Sequence, residues 1–188
     1  MKRLIGKSIL ILAMIVLSLS PGKSGAQVTP KDYFDPRHRV ELATVEKYHL
    51  GKENFWAEFE ARRYNYALLE LKYVLNNFPN HPRALQLMEL VAKLTSKPHI
   101  VISYYEKAVT LYPGYAFTHA QYGNYLVSTG QTEKGIEKLQ RALQMDPKLV
   151  VAYYWLWEAY TKKGSVEEAR QIAEKAKELG INVQERPK

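Results

Sequence analysis

The stretch AFTHAQYGNYLVSTGQTEKGIEKLQRALQMDPKL, residues 116–149, decides the fold. It holds two helical patterns. Phe117 to Ser128 reads as a first helix, and Gly130 stands where a left-handed residue closes a last turn. The second helix starts near Thr132, which is expected to cap its first turn. Ile136, Leu139 and Leu143 follow at helical spacing. Pro147 ends it, because the residue before proline avoids helical angles. The same punctuation recurs on both sides. Pro79, Pro113 and Pro147 lie 34 residues apart, as do Ala108, Ala142 and Ala176, and Gly130 and Gly164. One period kept by three residue types indicates stacked helix pairs rather than one shared core. The fold class expected is all-α, an α-solenoid. The fourth unit repeats the third, with Val151 to Lys162, Gly164, Ser165 as cap, then Val166, Ala169, Ile172 and Ala176.

Outward from these units the chain has two flanks. Lys2, Arg3 and Lys7 precede an apolar run from Ile9 to Leu19, and Ser24-Gly25-Ala26 offers small residues at a cleavage site. That order is a secretory signal peptide over residues 1–26. The alternative is an uncleaved anchor, but the run is shorter than the roughly 20 residues a spanning helix needs. Lys2, Arg3, Lys7 and Lys23 carry four of the net charges in the formal +8, so the basic balance is partly a property of the leader. With export, it does not indicate a nucleic-acid partner. The chain has no cysteine, which excludes disulfides and thiolate chemistry. Residues 27–39 read as a linker, with Pro30 and Pro36. Residues 40–183 form the helical repeat domain, in units at about 48–81, 82–115, 116–149 and 150–183, and 184–188 is a tail. The spacing of Val40, Leu42, Val45 and Leu50 supports a helix at the start of that domain.

These units resemble the tetratricopeptide repeat. Tyr122-Gly123 stands where the family has Leu-Gly, Leu126 where it has Tyr, and Leu139 where it has Phe. Ala142 and Pro147 match outright. Leu156, Tyr160, Gly164, Ala169 and Ala176 match in the fourth unit, Tyr104 to Ala108 with Pro113 in the second, and Tyr64, Ala67 and Pro79 in the first. Some positions depart. Arg62 and the Ser96-Lys97-Pro98 run replace the inter-helix glycine. Trp157 takes a position that favours Gly or Ala, facing Ala173 where a large aromatic is usual. Trp157 is expected to fill the space that Ala173 leaves. The polar outer face of the last helix is expected to close the array.

The resemblance implies a right-handed superhelix whose first helices line a concave groove. The inward positions are Arg83, Gln86, Leu90 and Lys93, then Phe117, Ala120, Asn124 and Val127, then Val151, Tyr154, Glu158 and Thr161. An extended protein or peptide segment is the expected partner. Asn124 and Gln86 would bond its amides, and Phe117, Tyr154 and the neighbouring Trp155 would cover its side chains. A lysine–asparagine clamp for an acidic C-terminus is not expected, since only Asn124 fits that pattern, although Arg83 and Lys93 would favour an acidic ligand at one end of the groove. No paired acid–base constellation, nucleophile elbow or phosphate-cradling loop is present, so no enzyme activity and no cofactor are expected. The five histidines, His38, His49, His81, His99 and His119, are not spaced as metal ligands; His81 and His99, at helix boundaries, read as surface groups and His119 as half-buried packing. The expected function is an interaction scaffold of the bacterial cell envelope, exported to the periplasm, or tethered to the membrane if the leader is retained. The rivals are a self-assembling unit with Tyr-rich subunit interfaces and an accessory subunit of an envelope biogenesis or secretion complex.

Overall fold

Two kinds of residue, helix-breaking prolines and left-handed turns, divide the chain at fixed intervals. The computed structural model describes residues 29–184; the expected leader and residues 185–188 lie outside them. Helices run over α1 (Arg39–His49), α2 (Ala57–Glu60), α3 (Tyr64–Asn77), α4 (Pro82–Leu94), α5 (His99–Leu111), α6 (Ala116–Ser128), α7 (Thr132–Met145), α8 (Val150–Lys163) and α9 (Val166–Glu178). A π-helical turn, Lys52–Trp56, leads into α2. There is no strand among the described residues.

Helices α3, α5 and α7 stop two residues short of Pro79, Pro113 and Pro147. The residues before those prolines, Phe78, Tyr112 and Asp146, have φ near −130° and ψ of 79°, 67° and 94°. That is the extended bias that proline imposes on its predecessor. Within each pair the turn is left-handed. Gly130 and Gly164 take φ of 89° and 79°, and Arg62 and Ser96 take 57° and 55° at the same 34-residue interval. The turn geometry therefore survives where glycine does not, at the cost of strain in a non-glycine residue.

Neither expected cap forms. Thr132 is the first residue of α7, and Ser165 makes no side-chain capping bond to α9. Gln131 and Ser165 have ψ of only 56° and 74°, short of the extended angle that aims a cap at the helix amides. His81 has that angle, with ψ of 109°, and its Nδ1 accepts from the Ala84 N–H at 3.2 Å.

Burial occurs in three clusters, one following another along the row. The first joins α3, α4 and α5 to Tyr122, Tyr125 and Leu126 of α6. The second lies between α6, α7 and α8, and the third is Tyr153, Ala176 and Val183. Ala108, Ala142 and Ala176 have no exposed surface. Helix α7 shows why: Ile136, Leu139 and Ala142 are buried on one face while Glu133, Glu137 and Arg141 stay in water on the other. At the far end α9 buries only Ala169 and Ala176, and the chain turns back through Gly180 so that Val183 covers Ala176. Trp157 and Ala173 both pack at this third cluster.

The N-terminal segment is tied to the repeats. The Lys31 N–H donates to the Asn77 carbonyl at 2.7 Å, and the Tyr33 N–H to Asn80 Oδ1 at 2.9 Å. Asp32 accepts from Asn80 Nδ2 at 2.7 Å and from the Tyr115 hydroxyl. Phe34 stacks on Tyr115 with ring centroids 4.5 Å apart. Residues 31–34, read from sequence as linker, thus strap the α3–α4 and α5–α6 turns together. Helix α1 buries no residue fully; Val45 packs against the first cluster, His49 stacks on Tyr73, and polar contacts add to these. His49 Nδ1 lies 2.7 Å from Glu70 Oε2, and His81 Nε2 3.0 Å from Glu46 Oε1.

Candidate functional site

Helices α4, α6 and α8 lie side by side, α4 against α6 and α6 against α8. Their shared face carries two cavities. The first, about 690 Å3, is lined by Gln86, Glu89, Leu90 and Lys93 of α4, by Ser96 and Pro98, and by Tyr125, Ser128 and Thr129. The second, about 410 Å3, is lined by Asn124, Val127 and Ser128 of α6 and by Trp155, Trp157, Glu158, Thr161 and Lys162. Ser128 lines both, so the cavities adjoin across one turn of α6.

One repeat position accounts for much of the difference between helix pairs. In the third pair Gly123 sits where an added Cβ would come 2.7 Å from both the Gly135 carbonyl oxygen and Leu139 Cγ. A Cβ on Gly135 would meet Val127 Cγ2 at 2.5 Å. The two glycines let the backbones of α6 and α7 touch. Glu89 occupies the Gly123 position 34 residues earlier, and Tyr105 the Leu139 position. The Tyr105 hydroxyl donates to Glu89 Oε1. Burial raises the Glu89 carboxyl to about 7, opposed by that hydrogen bond. Tyr105 is wholly buried, its hydroxyl pushed well above the usual range, and its ring stacks on Tyr122 at 5.2 Å. Tyr125 donates to the Pro98 carbonyl at 2.6 Å and is raised to about 12 by burial and by Glu89.

The residues expected to line the groove are distributed as follows. Gln86, Leu90 and Lys93 line the first cavity, and Asn124, Val127, Trp155 and Glu158 the second. Phe117 faces Trp155 with centroids 6.5 Å apart. Arg83 is exposed and Tyr154 half-buried, and neither lines a cavity. Ala120 belongs to the core, with no exposed surface. Lys162 Nζ donates to the Val127 carbonyl at 3.1 Å, bridging α8 to α6 at the second cavity. Glu89, Tyr125 and Thr129 were not expected there. The signal for Glu89 was present, as a charged residue 34 before a glycine that packs helix on helix.

His99 is exposed, as expected, whereas His81 is buried because it caps α4 beneath α1 rather than lying at the surface. Burial pushes His81 down to about 4, so its contact with Glu46 is a hydrogen bond from a neutral ring. His119 is buried, its Nε2 is 3.1 Å from the Pro113 carbonyl, and burial lowers its pKa. Among the described residues no group of three His, Asp or Glu is placed to hold a metal ion. No described helix is long and apolar enough to cross a membrane.

Residues 126–180 match the family model described as tetratricopeptide repeat. No curated protein matches the chain. Among solved structures, one of MamA is 21% identical with a TM-score of 0.54, over 77% of this chain and 82% of that one. MamA from Desulfovibrio magneticus RS-1, from residue 41 to its end, is 22% identical with a TM-score of 0.51, over 76% and 77%. YrrB, described as a TPR protein with an unusual peptide-binding site, is 17% identical with a TM-score of 0.52, over 76% and 72%. Residues 126–180 are thus a tetratricopeptide-repeat segment, and the described chain has the helical solenoid fold of the tetratricopeptide-repeat structures it matches.

Proposed function

We propose that this chain is a protein–protein interaction scaffold of the bacterial cell envelope, holding a segment of another protein along α4, α6 and α8. The observation that carries the reading is the pair of cavities meeting at Ser128. An extended chain laid across the helices meets apolar surface from Leu90, Val127, Trp155 and Trp157. It also meets polar groups able to bond its backbone, from Gln86 and Asn124. The groove is built on helices packed to one another, so binding needs little rearrangement. The fold is shared with YrrB, whose description includes a peptide-binding site. The basic, then apolar, N-terminal sequence supports export.

The test is site-specific photocrosslinking in living cells, with benzoylphenylalanine at Asn124 and, as control, at Lys134, which is exposed on α7. Discrete adducts from position 124 and none from 134 are expected. Adducts of equal pattern from both, or none from 124, would remove the groove as the binding surface. Purification of the captured adduct then identifies the partner.

A further inference from the structure

The first cavity holds a carboxyl group that the fold leaves incompletely partnered. Glu89 accepts at Oε1 from Tyr105, while no described residue donates to Oε2. No described lysine, arginine or histidine lies within ion-pair distance of it, although Lys93 lines the same cavity. Its repeat equivalents are Gly123 and Trp157, so the array does not require an acid at this position. Tyr125 and Leu90 supply an aromatic and an aliphatic wall. Ser128 and Thr129 already donate to the Tyr125 carbonyl, at 2.7 and 3.0 Å, which leaves their oxygens free to accept.

We propose that this cavity receives the cationic end of a lysine or arginine side chain from the segment held in the groove, with Glu89 as its counter-charge. The proposal rests on the groove reading above. An aliphatic stem fits against Leu90, and the charged head can meet both the Tyr125 ring and the Glu89 carboxylate. A glutamate or aspartate would instead place like charge beside a half-buried acid. The titratable and charged groups around Glu89 are Lys93 on its own helix, Tyr105 on α5 and Tyr125 on α6. Both tyrosines stay neutral through the physiological range, since burial raises them. Lys93 lines the cavity beyond ion-pair distance of Glu89 and adds a charge like that of the incoming head, so its removal should strengthen binding. Because Glu89 ionises near 7, affinity should rise as pH increases through that value and be lost below it.

The test is selection of random heptapeptides on the full chain, with selected peptides resynthesised with norleucine for lysine. Selected peptides should carry lysine or arginine at one position. Norleucine should weaken binding roughly tenfold, the scale of one lost charge-assisted contact. On Glu89→Gln, which preserves the side-chain shape and an acceptor for Tyr105, the difference should fall below about twofold. Tyr105→Phe keeps the carboxylate and should keep the basic preference, and melting curves verify that both variants fold. Peptides without a basic position, or an equal norleucine effect on Glu89→Gln, would overturn the cation site and leave the groove standing. Recovery of no peptide at all would overturn both.

Discussion

Helix pairs α4–α5 and α6–α7 occupy equivalent places in the repeat and meet differently. In α6–α7 the contact is Gly123 against Leu139, and the backbones touch. In α4–α5 the same two positions hold Glu89 and Tyr105, joined by a hydrogen bond, and a cavity lies beside them. In α8–α9 they hold Trp157 and Ala173, which share a cluster with large and small reversed. One structural position, 34 residues apart, is thus filled by close approach, by a polar pair or by an aromatic ring. The period constrains where helices start and stop more tightly than how their faces meet.

Converting one pair into the other should have the largest effect. Gly123→Glu copies Glu89 into α6, where a Cβ already collides with backbone and Leu139. It should destabilise the chain by about 3 kcal/mol or more, read as a fall in denaturant midpoint. A change under about 1 kcal/mol would show that the glycine seam yields easily. Next in size is Ala142→Leu, which overpacks a position with no exposed surface and should cost roughly 1–3 kcal/mol. A variant with unaltered melting temperature would count against the close contact.

Titration separates the pairs further. Folding raises Glu89 from 4.5 to about 7. Between those values the folded chain holds a proton that the unfolded chain has released, so this group lowers stability as pH rises through the window. Glu89→Gln removes that loss, and its stability relative to wild type should increase from pH 4.5 to pH 7. His81 acts in the opposite direction. Its pKa falls from 6.5 to about 4, so its contribution is complete above 6.5 and is lost as pH drops toward 4. The advantage of wild type over His81→Gln should shrink across that range. Denaturation of each variant against wild type at several pH values checks both signs.

The smallest effect concerns the turns. Arg62 and Ser96 hold left-handed angles that Gly130 and Gly164 adopt without strain. Arg62→Gly should stabilise by about 0.5–1 kcal/mol, or roughly 1–4 °C in melting temperature. A fall instead would mean that the arginine stem contributes more than its backbone costs.

The sequence carried what depends on neighbouring residues. Pro79, Pro113 and Pro147 marked three helix ends because proline acts on its own predecessor. Ala108, Ala142 and Ala176 marked close helix contacts because their spacing repeats. The strap was not legible, since Asp32 gains meaning only from Asn80 and Tyr115, which are 48 and 83 residues away. Nor was the failure of Thr132 and Ser165 as caps, which turns on ψ rather than residue type. Glu89 could have been read by extending the Trp157 comparison one unit back. The groove positions followed from helical periodicity, but periodicity alone could not separate Ala120, sealed in the core, from Asn124 four residues later.

Because the apolar interior is divided into successive clusters, the array resembles a row of hinged panels rather than a keystone arch. Amide exchange should therefore proceed in stages, with α8 and α9 opening before α3 and α4. A guest spanning both sides of Ser128 would fasten adjoining panels. Occupancy would then register as slower exchange far from any atom the guest touches.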